Sequence, residues 1–350
     1  MKEMIPSVFN KNFERIAELD NFRSFIWTSR YYTPGDFEVT VDASVLSYIE
    51  IGYYIARRYD YSKFGIIESI KVESTEERDE IVILSGRLLP SILGRRIISS
   101  QTVLNDTISN VIETLLNQNL IDPEDESRKI ENVEFISNII NNPTIEVQYT
   151  GENLLDTIST ICETYGIGID MYYDNGDLKI LLFKGADRSY DQSTNPYIVF
   201  SDSNDNLLTS DFKKDCSDYA TDVLVGGEGE GTSQTMVWSA EESKNGLDRY
   251  EIYLDASSAV TNDHIITQET YENQLFELGV QEISNHKTKT EAFSGTVDFT
   301  GVEFERDVFI GDIVTIKNDK WGLSMNSRLV EVIESIGEDG TYTAVPTFGN

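Results

Sequence analysis

The chain has 350 residues, of which 39 % are hydrophobic and 25 % charged, the composition of a soluble globular protein of roughly two or three domains. Its 61 acidic and 28 basic side chains give a net charge of −33, which repels phosphate backbones and anionic membrane surfaces. Sequence-specific nucleic-acid recognition and stable membrane insertion are therefore excluded as functions. The acidity indicates either simple solubility or an acidic channel wall along which DNA passes without sticking.

The cysteines and the N-terminal segment indicate where the protein is made. Cys162 and Cys216 lie far apart in sequence and form no disulfide framework. Met1–Pro6 lacks the apolar stretch of a secretory signal. We therefore expect synthesis in a reducing bacterial cytoplasm.

Residues 22 to about 98 are predicted to form strands. Phe37–Asp42 alternates apolar with polar residues at period two, which is typical of a half-buried strand. Thr33–Asp36 predicts a turn, because proline presets φ and Gly35 accepts a positive φ. The polar segment Ser74–Asp79 predicts a hairpin loop between two further strands. Short strands at this spacing indicate a small barrel or sandwich.

The next segment changes to a helical period. Apolar residues at helical spacing predict a helix over 102–119 with Thr102 as its N-cap. The polar stretch Ile121–Asn142 predicts a long connection.

A second helix and a hairpin follow. The apolar stripe of 154–165 ends at Gly166 and includes Cys162, so it predicts a helix with a buried structural thiol. Asn175-Gly176 between two apolar runs predicts a hairpin. This part of the chain is therefore expected to be a small α+β module.

From about residue 196 the strand pattern returns. Strands at 219–225 and 235–239 are expected to flank the glycine-rich tip Gly226–Gly231. A helix is predicted at 267–286. More strands are predicted at the C-terminal end, at 289–300, 312–317, 329–336 and 341–345.

The fold class expected from these patterns is α+β, mostly β, with two barrel-like β domains and an inserted α+β module. The predicted division is an N-terminal barrel-like domain at 1–100, a helix-rich α+β insertion at 101–190 and a second barrel-like domain at 191–350. The helical segment near 267–286 belongs to the third part.

Residues typical of catalysis are scarce. The two histidines, His264 and His286, stand at no metal-ligand spacing and are interpreted as surface or capping residues. No Gly-x-Ser-x-Gly nucleophile motif is present. With 61 acidic residues, no particular carboxylate pair can be singled out as a glycosidase site. No catalytic residue is therefore predicted.

Two polar loops resemble ligand sites only in part. Asp202–Asn206 begins like a calcium loop, but Leu207 replaces the required glycine and Lys213 the required glutamate, so a solvated turn is expected. The tip Gly226–Gly231 contains two glutamates and no lysine, which disfavours a phosphate. No metal and no cofactor is predicted.

Three segments together resemble a known family. They are Trp27–Val39, Ser85–Ile98 and Ile310–Ile316, the last followed by Arg328–Val332 and Pro346–Gly349. In order and spacing they resemble the siphovirus tail protein family related to baseplate hub proteins and to the N-terminal structural regions of tail-associated lysins. The resemblance runs from about residue 20 to the C-terminus.

The resemblance implies a structural baseplate-hub or tail-tip protein of the phage virion rather than an enzyme. Such hubs are typically trimers in which two barrel-like domains per subunit form a pseudo-sixfold ring joining the tail tube to the host-contacting tip. The implied partners are the distal tail protein, the tape-measure protein and a downstream tail fibre or lysin. Larger relatives carry C-terminal lytic domains, whereas this sequence stops at Asn350. A peptidoglycan hydrolase and a cell-wall glycan-binding module remain as alternatives.

Ten residues are expected to serve the scaffold. The first group anchors the first barrel and sets its hairpin: Trp27, Phe37, Pro34, Gly35 and Asp36. Gly311 and Asp312 are expected to enter a strand of the last barrel. Arg87, Arg95 and Arg96 form a basic island in an acidic chain, either through local salt bridges or as an inter-subunit contact, since arginine forks pair well with carboxylates.

Overall fold

A computed structural model describes residues 4–74, 80–207, 209, 211–240, 242, 244–258, 266–286, 290–294 and 301–349. The loop expected at 75–79 and His264 lie outside the described residues. So does most of the strand expected at 289–300, of which residues 290–294 are described.

The described residues form many strands and three α-helices. In chain order the strands are β1 (Pro6–Phe9), β2 (Arg15–Glu18), β3 (Ser24–Arg30), β4 (Asp36–Asp42), β5 (Tyr54–Arg57), β6 (Asp60–Ile66), β7 (Ser69–Ser74), β8 (Glu80–Arg87), β9 (Thr102–Thr107), β10 (Val133–Ser137), β11 (Thr144–Tyr149), β12 (Gly168–Asp174), β13 (Asp177–Phe183), β14 (Asp187–Arg188), β15 (Val199–Ser201), β16 (Asp211–Asp215), β17 (Asp222–Gly226), β18 (Met236–Ser239), β19 (Glu251–Asp255), β20 (Thr290–Ser294), β21 (Ile313–Asn318), β22 (Leu323–Gly337) and β23 (Tyr342–Gly349). The helices are α1 (Ile108–Leu116), α2 (Leu154–Tyr165) and α3 (Gln268–His286).

One large sheet joins the two ends of the chain. Its order is β16-β20-β23-β22-β3-β4-β8-β7, and β21 pairs with β22, β14 and β15. The long strand β22 lies antiparallel to β3, with Ile333 opposite Thr28. The predicted mostly β, α+β class is confirmed. None of the sheets built from the described residues closes on itself, and in the large sheet β22 connects the N-terminal strands to the C-terminal ones.

The N-terminal strands bury their core between two sheets. The four-stranded sheet β2-β1-β5-β6 packs against β3, β4 and β8 of the large sheet. Val8 and Ile55 of the small sheet belong to the same buried cluster as Phe25 and Trp27. The period-two alternation predicted for β4 is confirmed, since Phe37, like the other inward residues of this strand, is buried.

The prediction of the first helix is wrong for its first turns. Residues Thr102–Thr107 form β9, and the helix begins only at Ile108. The reason is tertiary: β9 pairs antiparallel with β11, with Leu104 opposite Val147.

The predicted connection at 121–142 is also wrong in part, because it contains β10. This strand pairs in parallel with β13, with Phe135 opposite Ile180. A parallel partner so far along the chain leaves no hairpin signal in the local sequence.

The second predicted helix and the hairpin after it are confirmed. Asn153 caps α2 by accepting from the amides of Leu155 (3.0 Å) and Asp156 (3.3 Å), and Gly166 ends it in the left-handed conformation. Cys162 is fully buried, and burial raises the pKa of its thiol, as expected of a structural cysteine.

The described residues between 220 and 286 form a small layer of their own. The expected hairpin about the glycine-rich tip is confirmed as β17 and β18, and β19 lies parallel to β17 on its other side. The predicted helix near 267–286 is confirmed as α3, which packs on one face of this sheet.

Candidate functional site

The first group of predicted scaffold residues lies in and beside the N-terminal core. Trp27 and Phe37 are buried with their rings stacked, 6.3 Å between centroids. Pro34 and Gly35 lie in the connection between β3 and β4, and the carboxylate of Asp36 pairs with Arg30 at 2.6 Å.

The reason predicted for Gly35 is wrong. It is not among the residues with a positive φ. A Cβ built on it would instead lie 1.9 Å from the carbonyl oxygen of Thr28 in the neighbouring strand. Glycine is therefore required here by the close approach of two backbones.

A buried ion cluster joins the two strand-rich ends of the chain. Arg57, fully buried at the end of β5, donates to Glu334 of β22 at 2.6 Å and to Glu305 at 2.7 Å. Its guanidinium lies 5.0 Å from the centres of the Trp27 and Tyr59 rings. We call the group of these five residues the ion junction.

Electrostatics keeps the ion junction charged. Burial disfavours the charged form of Arg57, but the carboxylates of Glu305 and Glu334 outweigh it and raise the arginine's pKa. Tyr342 donates to the second oxygen of Glu334 at 2.8 Å, so both oxygens of this fully buried carboxylate have partners. This cluster was not predicted from the sequence. Its signal is a carboxylate at an inward-facing position of β22.

Gly311 and Asp312 lie where the inserted module meets the large sheet, directly before β21. Gly311 has φ +89°, and a Cβ on it would lie 2.2 Å from the ring of Tyr31. The buried Tyr31 hydroxyl donates to the carbonyl oxygens of Gly166 (3.2 Å) and Phe183 (3.3 Å) of the module.

Asp312 is an anchor for several neighbours. Its carboxylate accepts from the amides of Ala186 at 2.7 Å and Phe309 at 3.0 Å and pairs with Arg188 at 2.7 Å. These contacts tie the start of β21 to the segment that leaves the inserted module.

An open cleft of about 350 Å³ lies beside this contact. Four of its charged lining residues are engaged with one another, in the pairs Lys63–Asp170 (3.1 Å) and Arg188–Asp312 (2.7 Å). Within the described part of the chain, no group of three or more His, Cys, Asp or Glu side chains is arranged to hold a metal ion.

In the loop that resembles a calcium site, a carboxylate already contacts other residues of the chain. The Asp202 carboxylate accepts from the amide of Asp319 at 3.0 Å and lies 3.9 Å from the Lys320 amine. His286 lies in the last turn of α3, where one of its ring nitrogens lies 3.0 Å from the carbonyl oxygen of Asp218, a residue outside the helix.

The structure separates the three arginines of the predicted basic island. Arg87 makes two hydrogen bonds to the Glu68 carboxylate, at 2.9 and 2.8 Å, which is the expected local salt bridge. Arg96 donates instead to the backbone oxygens of Arg128 (2.9 Å) and Arg95 (3.1 Å). Arg95 is exposed.

A second junction joins α3 to the inserted module and is polar. Glu277 accepts from the Tyr165 hydroxyl, and Gln281 donates to Tyr149 at 3.3 Å. Gln274 is buried with no hydrogen-bond partner for either amide atom among the described residues. We call these five residues the amide junction.

Three solved structures share this fold. The tail protein from Neisseria meningitidis MC58 has a TM-score of 0.62 at 15 % identity, covering 99 % of this chain and 96 % of that chain. The 43 kDa tail protein of prophage MuSo2 from Shewanella oneidensis has a TM-score of 0.60 at 11 % identity, covering 98 % of each chain. The prophage tail protein gp18 from Listeria monocytogenes EGD-e has a TM-score of 0.55 at 13 % identity, covering 99 % of this chain and 94 % of that chain. The fold is therefore that of phage tail proteins.

The chain belongs to the siphovirus ReqiPepy6 Gp37-like protein family, which it matches over residues 5–350. No curated protein matches it in sequence. Family and fold together confirm the predicted siphovirus tail protein family and the predicted location in the virion tail. No helix of the described residues is long and apolar enough to span a membrane.

Proposed function

We propose that this protein is a structural hub subunit of the tail tip, which forms a ring joining the tail tube to the host-contacting tip. The observation that carries the proposal is the continuous sheet across β22 and β3, which holds two strand-rich regions side by side in one body. The ion junction stiffens this contact. A subunit with two such regions suits a trimer with six similar positions around a tube.

The proposal assigns a task to each part of the chain. Residues 1–100 and 191–350 form the ring, and the insertion at 101–190 packs against them. The distal tail protein and the tape-measure protein contact the ring from the tube side, and a fibre or lysin contacts it from the tip side. The charge of −33 supports an acidic bore that DNA passes without binding.

The first experiment is the solution mass of the full chain, measured by light scattering and followed by negative-stain imaging. The expected result is a ring of three times the subunit mass of 39.6 kDa. In phage whose gene for this protein carries an early stop codon, tails should lack a closed tip, and a plasmid copy should restore it. Normal infectious tails from the mutant phage would refute the hub function.

No enzymatic activity is part of this proposal. The alternative of a peptidoglycan hydrolase is tested by zymography of the full chain on purified cell walls. A clear lysis band would replace the structural function with an enzymatic one.

A glycan-binding function is a second candidate, because the outer face of β17–β19 is open and aromatic. Trp238 (47 % exposed) and Tyr253 (54 % exposed) flank Leu224 on neighbouring strands. Aromatic rings of this kind stack on apolar surfaces while keeping a polar edge in water. Cell-wall polysaccharide should retain the wild-type chain and release a Trp238→Ala, Tyr253→Ala variant. Equal retention of both would exclude this face.

A further inference from the structure

Three arginines lie together where a short 3₁₀ helix, Leu89–Arg95, ends. The Arg96 side chain donates to the backbone oxygen of Arg128 at 2.9 Å, and Arg128 donates to the backbone oxygen of Ile97 at 2.6 Å. Arg95 precedes them on the exposed side, and Ile97 is 54 % exposed between them. We call these four residues the cationic patch.

The arginines of the cationic patch make no ion pair within the described part of the chain. The acceptors of Arg96 and Arg128 are backbone oxygens, the Ser99 hydroxyl and the Asn119 amide. Neutral acceptors hold a guanidinium in place without cancelling its charge. Arg87 differs, because Glu68 pairs with it in a two-bond fork.

The cationic patch lies in a very acidic chain, and this affects how copies of the chain can assemble. Two copies that each carry a charge of −33 repel one another, so a close contact between them requires local attraction. A second copy brings 61 acidic residues, and guanidinium groups pair with carboxylates through parallel hydrogen bonds. DNA is disfavoured as a ligand because the whole chain repels its phosphates.

We propose that the cationic patch binds surface carboxylates of a second copy of this chain, with Ile97 as the apolar centre of the contact. The inference rests on the proposed ring. The cationic patch differs from the basic island predicted from the sequence, because Arg87 is already paired and Arg128 takes its place. Contacts between a patch on one copy and a different surface on the next are those that close a ring.

A charge-reversal pair tests the patch. Arg95→Glu with Arg96→Glu is expected to weaken self-association by about tenfold or more, because two attractive contacts become repulsive. The matched control is Lys11→Glu with Lys184→Glu, which changes the net charge by the same amount. Both lysines are exposed, lie outside the patch and, like the patch arginines, make no ion pair among the described residues. Sedimentation velocity measures the dissociation constants, and thermal melting checks that both variants are folded. Equal weakening in both variants would refute the patch.

A conservative variant tests the contact directly. Arg95→Lys with Arg96→Lys keeps the charge and supplies amines that a carbodiimide links to carboxylates in contact. Isotopically heavy and light copies are mixed, linked and analysed by mass spectrometry. Heavy-to-light links from residues 95 or 96 to an Asp or Glu are expected and would identify the carboxylates. Links confined to one copy, such as those to Glu68, would overturn the proposal, as would a wild-type chain that stays monomeric at its highest soluble concentration.

Two further results separate this inference from the ring itself. A charge-reversal variant that still forms the wild-type ring would overturn the patch and leave the hub function standing. The wild-type chain is also mixed with a fluorescent DNA duplex. Binding that is lost in the Arg95→Glu, Arg96→Glu variant but kept in the Lys11→Glu, Lys184→Glu control would show that the patch binds a polyanion rather than carboxylates.

Discussion

The ion junction and the amide junction hold the same molecule together by opposite means. At the ion junction, the buried charge of Arg57 lies between the carboxylates of Glu305 and Glu334. At the amide junction, amide and hydroxyl groups meet a single carboxyl group that has no cation beside it, and Gln274 is buried with neither amide atom bonded among the described residues. Buried polar groups thus strengthen a contact only where partners satisfy them.

The difference has a mechanical consequence. Removing one partner from a buried ion pair leaves an uncompensated charge, so the ion junction is costly to break. Polar interfaces between parts of one chain commonly permit relative motion. We therefore expect the two strand-rich ends to move as one body, and the layer that contains α3 to separate from the inserted module first.

The largest expected effect is at the ion junction. Arg57→Met leaves the Glu334 carboxylate buried without its cation and should lower the free energy of unfolding by about 3–5 kcal/mol. Urea denaturation measures it. Arg15→Met, which breaks an exposed pair with Glu18, is the control and should leave the free energy of unfolding nearly unchanged. Combining Arg57→Met with Glu334→Leu should recover part of the loss, and a double variant weaker than Arg57→Met would contradict this account.

A second change tests how the insertion is held against the sheet. Gly311→Ala places a methyl group 2.2 Å from the Tyr31 ring at a positive φ, so it should destabilise the chain by about 2–4 kcal/mol. Gly322→Ala also has a positive φ but meets no atom within 4 Å, and should cost only about 1 kcal/mol. Similar melting temperatures for the two variants would show that the ring contact with Tyr31 is unimportant.

At the amide junction the two glutamines should respond in opposite directions. Gln274→Leu removes two buried polar atoms that have no hydrogen-bond partner and should raise the free energy of unfolding by about 1 kcal/mol. Gln281→Leu removes the hydrogen bond to Tyr149 and should lower it by about 1 kcal/mol. Chemical denaturation of both variants under identical conditions decides, and destabilisation by Gln274→Leu would mean that its amide is satisfied in solution.

The smallest expected effect depends on pH. Burial raises the pKa of Glu277, while hydrogen bonds from Tyr165 and Gln281 oppose the shift. The folded chain therefore binds the proton of the Glu277 carboxyl group more tightly than the unfolded chain does. The contribution of Glu277 to stability is fully present below the unfolded pKa and is lost as pH rises through the folded pKa. Glu277→Gln should match the wild type at low pH and exceed its melting temperature increasingly as pH rises. A constant difference at all pH values would contradict it.

Local patterns predicted the elements whose signals are local. The apolar stripe of α2, the stop at Gly166 and the Asn175-Gly176 hairpin depend on residues a few positions apart, and the structure has them where predicted. The segment 102–107 was predicted incorrectly because pairing with β11 overrides its helical spacing.

The candidate site could be predicted only in part, for the same reason. Trp27 and Phe37 stand at inward positions of alternating strands, so their burial follows from the pattern. The ion junction and the cationic patch depend on which charged side chains meet in space. Such contacts can join residues far apart in sequence: Arg30 and Glu331, which form another ion pair, are 301 positions apart. The spacing of arginines along the chain cannot distinguish Arg87, which has a carboxylate partner, from Arg96, whose acceptors are backbone oxygens.

By itself, the sequence determined the acidity of this protein, its mostly β class, its second and third helices and its resemblance to a tail protein family, because these depend on composition and on short-range spacing. Only the tertiary structure decided that β22 joins both ends of the chain into one sheet, and which charged groups are paired. The physical reason is that strand pairing and buried ion pairs are made between residues far apart in sequence, and their energies depend on burial that no local pattern records.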